Sequence, residues 1–78
     1  MKVHELKLRQ PFFDDVFNGL KDFEIRKNDR DFKVGDLLKL IEYPTENPRH
    51  VTKKIKYILN GGQYGLDSDY VVLGLEKI

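Results

Sequence analysis

Apolar and polar residues alternate from Val3 to Arg9. His4, Leu6 and Leu8 fall on one face, and Val3, Glu5, Lys7 and Arg9 on the other. That period of two predicts a half-buried strand. Pro11 suits a first helical position because its φ is already fixed near the helical value. Phe12, Phe13, Val16 and Phe17 then recur at one-, three- and four-residue steps, an apolar stripe along a short helix. Asp14 and Asp15 sit where the helix dipole favours negative charge, and Asn18-Gly19 ends the helix. Two turns of helix are not stable alone, so this one must dock on a sheet.

A second strand is predicted over Asp22–Lys27, with Phe23 and Ile25 as core anchors and Glu24 and Arg26 on the opposite face. Asn28 to Gly35 reads as a charged loop pinned by Phe32 and Val34. Gly35-Asp36 is a turn signal before a third strand, Leu37–Tyr43. Pro44 and Pro48 punctuate the next connection. A fourth strand spans Arg49–Leu59, with Val51, Lys53, Ile55, Tyr57 and Leu59 on one face. Asn60-Gly61-Gly62-Gln63 is a loop without the strand-to-helix context of a phosphate-binding turn. Tyr70–Leu75 is the most hydrophobic strand, hence a central one. One short helix cannot cover a parallel sheet. The expected fold is therefore mainly β, with one or two short helices and a small barrel of five to six mixed strands, because closure removes exposed edges.

Composition narrows the function classes. The chain has 78 residues and no cysteine, which excludes disulfide staples and thiolate metal sites and fits one domain over residues 1–78. Fourteen Lys and Arg against thirteen Asp and Glu leave a net charge of +1, so any electrostatic partner must be read by a local patch. The longest apolar run is Tyr70–Leu73, far short of a membrane span, and no apolar signal core follows Met1. The expectation is a cytoplasmic protein without membrane attachment. His4 and His50 are the only histidines and share no ligand spacing, so neither a metal nor another cofactor is expected. His4, on the leucine face, reads as a hydrogen-bonded core or cleft-lining residue.

Chemistry concentrates in Gly19-Leu20-Lys21-Asp22-Phe23-Glu24-Ile25-Arg26. Glu24 and Arg26 share a side, and Lys21 joins them only if the turn after Gly19 re-aims it. The competing reading is a solvated charged face whose exposed ion pairs contribute little. Arg49 to Tyr57 holds four basic residues, suited either to a nucleic-acid backbone with a stacked base or to edge protection. Tyr64, beside the glycine pair, is positioned either to stack on a base or to pack in its hairpin. Asp29 and Arg30 form a local pair that braces the loop beside the motif.

The spacing Gly19-x-Lys21-x-x-Glu24-x-Arg26 resembles the signature of the ASCH domain, the activating-signal-cointegrator homology family. His4-Glu5-Leu6-Lys7, Phe23 to Arg30, Val34-Gly35-Asp36 and Tyr70 to Leu75 extend the likeness to small bacterial and phage ASCH-like proteins. The resemblance implies a PUA-like β-barrel with a cleft lined by the motif's Lys, Glu and Arg, and an RNA or nucleotide-like ligand. Some small relatives are amidohydrolases acting on acylated cytidine. They carry a Thr where this chain has Glu24, and a second carboxylate near the C-terminus for which Glu76 is the counterpart. Loss of the hydroxyl removes their attacking group.

The combined expectation is an RNA- or nucleotide-binding module. Lys21 and Arg26 would contact phosphate or a base edge, and Glu24 would fix those cations or accept from a base amino group. Lys7, Arg9, Arg30 and Lys54 would add phosphate affinity, with His4 and Tyr64 also in the binding set. The alternative is a small amidohydrolase in which Lys21 and Glu24 are catalytic. A third possibility is a homodimer paired through a strand edge, with Phe12 or Phe13 at its seam.

Overall fold

In the computed structural model, which describes residues 1–78, five strands and one helix follow in the order β1 (Val3–Arg9), α1 (Phe12–Phe17), β2 (Phe23–Lys27), β3 (Leu37–Tyr43), β4 (His50–Asn60) and β5 (Tyr70–Glu76). They form a single sheet in the order β1-β3-β4-β5-β2. β1 runs parallel to β3, and every other pairing is antiparallel. β5 is an interior strand, as its hydrophobicity predicts. The fold is mainly β, but the barrel is not closed by a backbone ladder. β1 and β2 are both edges, and side chains span the seam between them. Arg26 Nη2 donates to the Lys7 carbonyl at 2.9 Å and Arg30 Nη1 to the Glu5 carbonyl at 3.0 Å.

The core gathers Leu6 and Leu8 of β1, Phe13 and Val16 of α1, Phe32, Leu38 and Leu40 of β3, Ile55, and Val71, Leu73 and Leu75 of β5. Phe13 and Val16, three residues apart, carry the buried face of the helix, while Phe12 and Phe17 remain half exposed. Burial of Phe13 removes it from the dimer seam expected at Phe12 or Phe13. The helix is held to the sheet by Arg49. Its guanidinium meets Asp14 at 2.7 Å and Glu42 at 3.0 Å and stacks 5.3 Å from Phe13 and 5.1 Å from Phe17. Those hydrogen bonds hold the Glu42 carboxyl down at about 2, with Arg49 the leading cause. Arg49 is therefore a clamp and not part of a free basic strand.

Three expectations about side-chain direction are corrected. In β2 the inward residue is Glu24, at 2 % exposure, while Phe23 and Ile25 face outward at 44 % and 51 %. Outside, cross-strand register places Phe23 level with Gly74 and Tyr57, and Ile25 level with Val72 and Leu59. A Cβ on Gly74 would lie 3.3 Å from Tyr57 Cβ, so this glycine admits the tyrosine stem. In β4 a bulge at Lys56, between Ile55 and Tyr57, inverts the alternation. Ile55 is buried and Ile58 packs on the core, whereas Tyr57 points outward. In the 28–35 loop Phe32 is buried as expected, but Val34 is 62 % exposed.

What fixes that loop is Asp36. Its carboxylate accepts from Lys2 N at 3.0 Å and Lys33 N at 3.1 Å and pairs with His4 Nε2 at 2.8 Å. Gly35, at φ +97, makes the turn that presents it, and the flanking amide of Ile55 bonds the Asp36 carbonyl. The Lys2 amide, followed by His4, holds the Asp36 carboxyl down at about 2. A depressed acid contributes stability above its unfolded value and loses it as pH falls through the folded value. The urea midpoint is therefore expected to fall between about pH 4 and pH 2, with a smaller fall in that window in Asp36→Asn. An equal fall in both proteins would contradict this role for Asp36.

Candidate functional site

Gly19 takes φ +80 after the helix, and the Leu20 and Lys21 amides both bond the Asp15 carbonyl, at 2.8 and 3.0 Å. This folded-back turn re-aims Lys21 toward β2, the condition its position in the sequence left open. Lys21 Nζ reaches Glu24 Oε1 at 2.6 Å and the Phe23 carbonyl at 2.7 Å. Arg26 Nε donates to Glu24 Oε2 at 2.9 Å. The three charged tips converge, and each carboxylate oxygen has its own cation. Glu24 is buried, while Lys21 and Arg26 keep 18 % and 24 % of their side chains exposed. The acid thus anchors two cations, each with donors left over.

These groups form the floor of a cleft of about 460 Å³ at the β1–β2 seam. Lys7, Leu8 and Arg9 line it from β1, Phe12 from the helix, and Lys21 with Phe23 to Arg26 from the other side. Four cations surround one acid. Both half-exposed rings lie near the same ammonium, with Lys21 Nζ 4.9 Å from the Phe23 centroid and 6.0 Å from that of Phe12. Lys7 Nζ lies 5.4 Å from the Tyr43 ring. A volume of this order is typical of small-molecule clefts. Phe23 was expected as a core anchor and Phe12 on the helix's apolar stripe or at a dimer seam, and the outward turn of both rings is what makes the cleft partly aromatic.

The other candidates sit elsewhere. His4 is buried against Asp36 and tilted on Phe32 at 4.8 Å between centroids. Arg30 lines a smaller recess of about 150 Å³ farther along the seam, with Arg26 common to both. Lys54 is exposed on β4, level with Leu37 and Glu76, and neither Lys54 nor Glu76 lines either hollow. Tyr64 stands 89 % exposed in the 61–69 loop, also outside both. No cluster of three or more His, Cys, Asp or Glu residues is placed to hold a metal ion, and no helix is long and apolar enough to cross a membrane.

Residues 3–75 match the family described as "Domain of unknown function (DUF3850)". The chain belongs to the DUF3850 family. It is also similar to an "Uncharacterized 12.9 kDa protein in GpA 3'region" of Escherichia phage P2, 48 % identical over 42 residues. That stretch is 54 % of this chain and 38 % of the phage protein, so the chain spans well under half the length of that relative. The DUF3850 match runs from the start of β1 to near the end of β5. It therefore includes both walls of the cleft and the Lys21-Glu24-Arg26 triad.

Proposed function

We propose that this DUF3850 domain binds a nucleotide or single-stranded RNA in the seam cleft, as the ASCH-like spacing of Lys21, Glu24 and Arg26 implies. The observation that carries the reading is the pairing of two half-exposed phenylalanine rings with four cations around one buried acid. Rings offer a stacking face to any base, and cations meet the phosphate. Arg26 retains guanidinium donors beyond those used on Glu24 and Lys7, enough to fork onto a phosphate. Glu24 acts through the two cations it orients. With both oxygens occupied it is poorly placed as a general base, which supports binding over amide hydrolysis.

The test is a fluorescence titration with single-stranded RNA and with ribonucleoside monophosphates. Lys7→Ala/Arg9→Ala and Phe23→Ala alter exposed side chains and spare the core. Each is expected to weaken binding by about tenfold, and the charge variant is expected to flatten the salt dependence as well. Unchanged affinity in both variants would place the ligand elsewhere. Incubation with acylated cytidine is expected to give no deacylation, and turnover lost in Lys21→Ala would reverse that assignment.

A further inference from the structure

The two hollows of the seam are neighbours. Arg26 forms a wall of each, with its guanidinium on the Lys7 carbonyl, and Arg30 crosses the smaller one to the Glu5 carbonyl. These carbonyls are two residues apart on β1, so the two guanidinium rungs follow each other at roughly 7 Å along the strand. Successive phosphates of an extended single strand recur at a similar step. A carbonyl orients a guanidinium without cancelling its charge. Arg30 has only Asp29 nearby, at a loose 4.0 Å, and 46 % of its side chain is exposed. Arg26 shares Glu24 with Lys21, which leaves that group with a surplus positive charge. The larger hollow holds two half-exposed rings, whereas the smaller, at about 150 Å³, is too small for a further nucleotide, and beside Leu6 and the buried Phe32 its lining is charged: Arg26, Lys27, Asp29 and Arg30.

We propose that the seam reads a single-stranded oligonucleotide of at least two nucleotides, with one base and its phosphate in the larger hollow and the adjacent phosphate on Arg30. This rests on the nucleotide-binding reading above and adds that the ligand is a polymer. Arg26 is the shared rung that sets the step between the two phosphates.

The experiment compares the four ribonucleoside 5′-monophosphates with the four homodinucleotides carrying a 5′-phosphate. The wild-type protein is expected to bind its best dinucleotide about tenfold more tightly than its best mononucleotide. The dinucleotide should also show a salt slope steeper by about one counterion, a readout that needs no variant. Arg30→Ala is expected to abolish that gain while leaving mononucleotide affinity within about twofold, which also reports that the variant is folded. Lys54→Ala, outside both hollows, is expected to alter neither. Mononucleotide binding with no gain for the dinucleotide would overturn the polymer proposal and leave the nucleotide site standing. A gain that survives in folded Arg30→Ala would also overturn it. Absence of binding for both probe types would remove both readings.

Discussion

Replacing Glu24 with glutamine is expected to lower the unfolding free energy by about 3 kcal/mol, at the lower end for breaking a buried ion pair. The substitution keeps the size and much of the shape. What it removes is the charge that two cations share at 2.6 and 2.9 Å. Lys21 and Arg26 are each mostly covered, so neither recovers full hydration where it stands. For a domain of this size a loss of that order lowers Tm by roughly 12–24 °C. Glu24→Leu, which adds an apolar side chain at an interior position, is expected to be no more stable, because the same two cations remain. Thermal and urea unfolding followed by circular dichroism measure both. A loss below about 1 kcal/mol for Glu24→Gln would mean that the cations relax into water and that the triad is not a fixed unit.

Phe13→Ala is expected to be more damaging, at about 3–5 kcal/mol. Phe13 is fully buried, and with Val16 it is all that the helix contributes to the core. The helix has six residues and cannot persist without docking. Truncation also strips Arg49 of one of its two rings. Small domains have total stabilities of about 4–12 kcal/mol at this length, so the variant is expected to lose a large share of its stability. Loss of the helix would release Phe12 and the Gly19 turn, and with them one wall of the cleft. The variant's urea midpoint should fall far below that of the wild type. A cooperative transition at the wild-type midpoint would show that the helix is anchored chiefly through Arg49.

The sequence was most readable where one local rule decided the outcome. Strict alternation placed β1 correctly, because Leu6 and Leu8 turn inward and Glu5, Lys7 and Arg9 outward. Gly19 and Gly35 marked turns that their positive φ values require. The failure at β2 has a specific cause. Hydrophobicity alone puts Phe23 and Ile25 inside, yet the interior position is held by an acid with two cationic partners. The displaced apolar residues stand half exposed on the outer face, level with Tyr57, Val72 and Leu59. In β4 one inserted residue shifted the phase, and nothing in the run Lys53-Lys54-Ile55-Lys56-Tyr57 announces which residue is the extra one. The Arg49 clamp was hidden for another reason. Its partner Asp14 lies 35 residues away, so no spacing rule connects them. The candidate triad was legible as a motif, but its convergence depended on the turn geometry that Gly19 allows.

Joining β1 to β2 through two arginines instead of a ladder makes this the part of the sheet that opens at the lowest free energy. Amides along β1 that face the seam should exchange with deuterium before those of β4 and β5. Whatever molecule settles there would act as the missing rungs, so occupancy and folding become one linked equilibrium, and a rise in melting temperature reports a ligand without an activity assay.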